Sequence, residues 1–236
     1  MSATPGTRPR VLYGRRRGRK LRPGREQLLR SLLPRVAIRP PDAGGRLDPR
    51  AAFPAPPGDV WLEIGFGAGE HLAFQARAHP DIGLIGCEAY LNGVASLLSY
   101  IDREGLANIR VVADDARPLL EALPDASIGR AFLLYPDPWP KSRHRKRRFI
   151  SWDNLELLAR VLKDGAELRF ATDEPGYLVW TLEHLIRHPA FVWLARSPAD
   201  WRTRPADWPP TRYELKATRR GRVCTYLSFE RRRRSG

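Results

Sequence analysis

A handful of carboxylates and one glycine turn carry the chemistry open to this chain. The stretch LEIGFGAGE, residues 62–70, sets Glu63 ahead of Gly65, Gly67 and Gly69. Glycines spaced this way permit a tight turn and let the backbone approach a ligand closely. Glu88 follows Gly65 by 23 residues, the distance at which an acid takes the ribose hydroxyls of an adenosine ligand. Asp114 and Asp115, just ahead of Ala116, fall where an adenine amino group would be met. A nicotinamide dinucleotide is the first competitor for such a turn. The spacing is G-x-G-x-G rather than G-x-G-x-x-G, however, and Glu63 would repel a pyrophosphate. A ring of Glu63, Glu88 and Asp115 favours an uncharged ribose and a cationic ligand. S-adenosyl-L-methionine, a sulfonium with a free amino group, suits it better than any phosphorylated cofactor. Each acid taken singly could equally cap a helix.

The second candidate is YPDPWPKSRHRKRR, residues 135–148. Pro136, Pro138 and Pro140 fix φ and remove backbone donors, and each pushes the residue before it toward an extended conformation. Asp137 and Trp139 are thereby held in a set orientation. Trp139 could stack on a base, although a tryptophan in such a turn more often wedges the loop against the core. Lys141, Arg143, Arg145, Lys146, Arg147 and Arg148 then pack six cations into eight positions, with His144 among them. A run of this kind suits phosphates, or else the solvated start of a helix.

The elements that must position these groups alternate. Apolar runs at 60–65, 83–89, 108–115, 128–135 and 165–173 read as strands. Between them fall helical patterns at 70–79, 91–104, 118–123, 152–162 and 177–187. That alternation predicts an α/β Rossmann-like domain with a mainly parallel, seven-stranded sheet and helices on both faces. Two last strands, at 191–196 and 223–231, are joined by a long loop and predict an antiparallel C-terminal edge pair. In such sheets ligands bind beyond the carboxyl ends of the strands, where all the acids above fall. Ahead of this domain (residues 59–236) stand a basic arm with a short helix over 27–36 (residues 1–40) and a Pro/Gly linker (residues 41–58).

Charge is distributed unevenly. The net of +15 resolves into +11 over residues 1–40, +7 over residues 216–236 and −3 between them. A near-neutral body with basic attachments suits a polyanion gripped at the periphery, around a site that is not itself an anion pocket. Basic tails kept for solubility are the plainer alternative. No apolar run of about 18 residues exists, and the basic runs lack an apolar helical stripe, so no membrane partner is expected. Cys87 and Cys224 lie singly in apolar segments, and the five histidines show no metal-ligand spacing. The chain is expected to be cytoplasmic, metal-free and without an obligate protein partner, as a monomer or weak homodimer.

LEIGFGAGE, YPDPWPKSRHRKRR, FATDEPGY and TRYELKATRRGR together resemble the bacterial tRNA (guanine-N7)-methyltransferases over roughly residues 10–231. The resemblance implies a class I methyltransferase fold and methyl transfer from S-adenosyl-L-methionine to N7 of guanine 46 in the tRNA variable loop. It implies Glu63, Glu88 and Asp115 as cofactor ligands, with the turn glycines, and Asp137 as the active-site residue. It implies Lys141, Asp173 and Thr211, Arg212, Tyr213 and Glu214 as substrate contacts, and Arg143–Arg148 as an RNA-binding run. Pro140 and Arg145 depart from the family's usual His and Asn. Asp173 could equally cap the helix that follows it. A non-catalytic RNA-binding protein on the same fold and an adenine-N6 methyltransferase are the rival readings; PDPW argues against the latter.

Overall fold

A computed structural model describes residues 14–42 and 44–234 of the chain. Seven strands form one sheet: β1 (Asp59–Ile64), β2 (Ile82–Cys87), β3 (Ile109–Val112), β4 (Ile128–Leu134), β5 (Leu162–Thr172), β6 (Phe191–Trp193) and β7 (Thr225–Arg231). Their order is β3-β2-β1-β4-β5-β7-β6. The first five run parallel, and β7 lies antiparallel between β5 and β6. The expected C-terminal antiparallel pair is thus present, with β6 at the edge.

Both faces of the parallel strands are covered, which is why they read as continuous apolar runs rather than alternating ones. On one face, Leu62, Ile64, Ile85 and Leu133 pack against α5 (Ala116–Ala122), α6 (Trp152–Val161) and α7 (Pro175–Arg187). On the other, Trp61, Leu84, Val111 and Phe132 pack against α3 (Glu70–Ala78) and α4 (Leu91–Glu104). The N-terminal helices α1 (Pro23–Ser31) and α2 (Leu33–Val36) lie on that second face. Pro34 marks the break between them, in line with the pattern over 27–36, because it cannot donate inside a helix.

Two connections are more structured than their composition implied. The Pro/Gly stretch ahead of β1 holds a 3₁₀ turn, Arg50–Ala52, and delivers a buried Phe53. Arg110 lies over the Phe53 ring and donates to the Ala52 carbonyl. The stretch is therefore packed, because one aromatic side chain brings enough apolar area to hold it. The segment between β6 and β7, expected as a loop without a helix, contains α8 (Ala199–Arg202) and α9 (Arg212–Arg219). Thr211 caps α9 by accepting from the Glu214 amide. The TRYE sequence carries the S/T-x-x-E signal that marks a helix start.

Packing under the glycine turn is tight. A Cβ on Gly86 of β2 would sit 2.4 Å from Leu72 and 2.7 Å from Phe66, directly beneath the β1–α3 connection. Gly86→Ala is expected to lower stability by about 1–3 kcal/mol through overpacking, measured as the midpoint shift in urea unfolding.

Candidate functional site

The order β3-β2-β1-β4-β5 reverses direction between β1 and β4, so the crevice for a ligand opens above those two strand ends. From β1 the chain turns through Gly65, Gly67 and Gly69, all at positive φ (72°, 58° and 86°). A side chain at any of the three would be strained. Gly67 also has no room for a Cβ, which would lie 2.9 Å from the Tyr213 ring. Its amide donates to Glu88 Oε2 at 2.8 Å, and the Tyr90 amide donates to Oε1 at the same distance. Gly93 closes the cradle, since a Cβ there would meet the Gly67 carbonyl at 2.1 Å.

From β4 the chain enters the proline turn. Tyr135 and Trp139 hold positive φ (51° and 41°), rather than the extended conformation expected of residues preceding proline. Such conformations cost about 1–3 kcal/mol each and persist only where surrounding bonds over-determine them. The Tyr135 amide donates to the Ala171 carbonyl. Arg148 supplies the second restraint. It is buried, donates from Nε to the Pro138 carbonyl at 2.8 Å and from Nη1 to the Gly176 carbonyl at 2.9 Å, and lies over the Tyr177 and Trp180 rings. Glu174, the N-cap of α7, stands 3.8 Å from Nη2.

Asp137 projects from this turn beside Glu88. Burial holds both carboxyls above their ordinary pKa, and the Asp137 charge pushes Glu88 up further. Gly14 of the N-terminal arm lies against Asp137. Tyr213 leans over Gly67 between these acids and Glu70, and burial together with the acids raises its phenol pKa. Asp137 thus remains solvent-accessible at the mouth of an acidic, partly desolvated centre.

Several sequence-predicted residues do other work. Glu63 is 2% exposed and bonded to His71 Nδ1 at 2.8 Å, so it is a buried partner of α3 and not a wall of the crevice. The alternation of β1 turns it, with Trp61, toward the α3 face. Asp115 caps α5 through the Arg117 amide and pairs with the Arg117 guanidinium. It still lies close enough to raise the pKa of buried Cys87, after burial itself. Asp173 pairs with Arg222 at 2.9 Å, while its neighbour Glu174 takes the capping role. Glu214 accepts from Tyr226 Oη at 2.7 Å and faces Arg204 at 3.0 Å, anchoring α9 rather than facing the crevice. Arg212 reaches Glu70 at 3.3 Å.

The basic run splits in two. Lys141, Arg143, Arg145 and Lys146 are exposed on or beside a 3₁₀ helix, Ser142–Arg147. Trp139 neither lies on the sheet nor stands free, because His144 meets its edge and Arg147 covers its ring at 4.9 Å. Desolvation and the cations around it push the His144 imidazole pKa down. Arg148, expected as an RNA contact, is withdrawn into the protein.

Sequence reasoning missed the buried partners of His71 and Trp208 and the docking of the arm beside the crevice. Trp208 is buried against His71 and Tyr226 and anchors its segment on the α3 face of the sheet. Arg16 pairs with Asp114 at 2.8 Å, and Asn92 accepts from the Gly18 amide and donates to the Arg19 carbonyl. The partners come from other elements, and nothing local announced these contacts.

A glycine turn, an acid ending β2 and an acceptor turn ending β4 on this strand order define the class: a Rossmann-like methyltransferase fold. The fold superposes on a SAM-dependent O-methyltransferase from Thermotoga maritima with TM-score 0.50 at 16% identity, covering 76% of this chain and 62% of that one. An rRNA methylase from Streptococcus thermophilus gives 0.51 at 13%, covering 74% and 87%. A family model described as "Putative methyltransferase" matches residues 58–227. The chain is 53% identical to a tRNA (guanine-N(7)-)-methyltransferase of Rhodospirillum rubrum over 94% of its length and 88% of the relative's. One from Ruegeria pomeroyi is 52% identical over 98% and 99%. The chain belongs to the family of tRNA (guanine-N(7)-)-methyltransferases.

The split within the basic run is measurable. Arg148→Gln leaves buried carbonyls short of a donor and is expected to lose about 1–3 kcal/mol or more in urea unfolding. Lys146→Gln, on the exposed face, should stay within about 0.5 kcal/mol of the parent.

Proposed function

We propose that this protein transfers a methyl group from S-adenosyl-L-methionine to N7 of guanine 46 in the tRNA variable loop. The observation that carries the reading is the placement of Asp137. It is presented beside Glu88 on a turn locked by Arg148, with exposed cations beginning four residues further along the chain. The names of the family relatives and the distribution of charge support it.

The donor set suits this cofactor. The left-handed Gly65 and Gly67 add no side chain of their own to the crevice, Glu88 stands where ribose hydroxyls would be accepted, and Glu88 with Asp137 supplies negative charge. Asp115, near Cys87 and Glu88, remains a candidate for the adenine amino group. When bound, the cofactor supplies an electrophilic methyl group on a sulfonium.

Guanine N7 carries a lone pair and no proton, so this chain needs no general base. Its task is alignment, which can lower a barrier by about 7–11 kcal/mol in favourable cases. Asp137 is placed to accept from the guanine N1–H and N2–H₂ and to offset the positive charge growing on the purine. Lys141, Arg143, Arg145 and Lys146 hold flanking phosphates, and the arm residues 14–22 add cations on the other side of the crevice. Asp173 and Arg212 sit in exposed pairs with Arg222 and Glu70, pairs that substrate could exchange.

Labelled methyl should appear in unmodified tRNA at the variable-loop guanine, located by nuclease mapping. Label on adenine, or none on tRNA, would refute the reading. Asp137→Asn keeps the shape of the turn but removes its charge. It should lower kcat by about 10²-fold with tRNA affinity retained; near-full turnover would mean Asp137 is not the orienting group.

The raised carboxyl pKa values give a pH test. A cationic ligand favours the ionised forms of Glu88 and Asp137, so its binding releases protons these groups hold more tightly than usual. Calorimetric affinity for S-adenosyl-L-methionine should weaken as pH falls from about 7 to about 4. S-adenosylhomocysteine, which lacks the sulfonium charge, should show the smaller dependence.

A further inference from the structure

A concavity of about 290 Å³ adjoins the acidic centre and shares Gly67 and Tyr213 with it. Gly67 and Ala68 form its floor, and elements far apart in sequence build its walls: Arg25 from α1, Tyr90 ahead of α4, and Arg212, Tyr213 and Lys216 from α9. No carboxylate lines it among the described residues. Arg212 shares its charge with Glu70, whereas Arg25 and Lys216 have no ion-pair partner among the described residues. Three cations drawn around one small hollow by two separate helices, with a single acid between them, repel one another. An anion entering there relieves that repulsion.

Tyr213 borders both this hollow and the acidic centre. Its ring stands over Gly67, and its phenol lies within the field of Glu88 and Asp137. Carboxylates of the centre and cations of the hollow therefore both lie around this one aromatic side chain. A cationic methyl donor is drawn to the acids and an anionic group to the cations. Tyr90 and Tyr213 give the hollow aromatic surface, against which a ribose or base can pack. Asn92, also on the wall, is not available to a ligand, because both ends of its amide hold arm residues Gly18 and Arg19. The arm and α9 thereby meet at this hollow.

We infer that this pocket holds a phosphodiester of the RNA strand carrying the acceptor base. Arg25 and Lys216 neutralise the phosphate, and Arg212 completes the cluster on release from Glu70. The pocket fixes the strand beside Tyr213, while the 3₁₀ helix Ser142–Arg147 holds it after the acceptor turn. The inference rests on the proposed tRNA substrate.

The test uses the full chain with Arg25→Gln and Lys216→Gln combined; both side chains are at the surface, and Lys216→Arg serves as the conservative control. Affinity for a fluorescent tRNA transcript is measured across a salt series, and affinity for S-adenosyl-L-methionine by calorimetry. The double variant should bind tRNA about tenfold more weakly, with the slope of log K against log salt reduced by about 0.7–0.9 for each phosphate no longer neutralised. Cofactor affinity should be unchanged, and Lys216→Arg should bind like the parent. An unaltered affinity and slope would overturn the inference. So would a fall in cofactor affinity with tRNA binding intact, which would assign the cations to the carboxylate end of the methyl donor. A parent protein that itself failed to bind tRNA would overturn the proposed function as well, whereas a parent that binds and a variant that matches it sinks the pocket alone.

Discussion

The structure depends on one buried guanidinium. Arg148 binds the carbonyls of Pro138 and Gly176, stands near Glu174 and is sandwiched by Tyr177 and Trp180. It therefore joins the turn after β4 to the start of α7 on the neighbouring strand's connection. A planar fork with several donors can do this, where a lysine offers only a compact point charge. Tyr135 and Trp139 hold left-handed backbone on a proline-rich turn, and that strain survives because Arg148 and the Tyr135–Ala171 bond leave the turn no alternative. Asp137 is aimed as a consequence.

Around this point the protein separates charge. Glu88, Asp137 and Glu70 concentrate negative charge over the glycine turn, in a chain whose net charge is +15. The cations stay at the rim, on the exposed face of Ser142–Arg147, on the arm and along α9. A polyanion held at the rim and a cation held at the centre do not compete for the same groups. Partial desolvation sharpens the arrangement, since fields act more strongly where water is scarce.

The mainly parallel sheet follows from patterning that could be read directly. Apolar runs such as VWLEI and GLIGC alternate with helical spacing, and right-handed parallel crossovers leave few topologies. The glycine turn was equally legible, because glycine adopts φ of 58–86° without the steric cost a side chain brings. Glu88 and Asp137 were legible because strand ends define where a ligand can sit. Helix α9 was not, although Thr211 and Glu214 carry a capping signal, because a short polar helix has little periodicity to show.

What the sequence by itself determined was the class of fold, the positions of the strand ends and the residue types waiting there. Only the tertiary structure decided which of those side chains face the crevice. Glu63 and Glu88 end neighbouring strands and look alike in the chain, yet one is sealed against His71 and the other cradles the glycine turn. Arg148 closes a run of six cations and is the one whose fork is buried against the turn and α7. The reason is physical: local spacing sets which groups reach a strand end or a helix face. Whether a carboxylate or guanidinium finds a buried partner depends on side chains brought in from other elements, and no spacing along the chain records them.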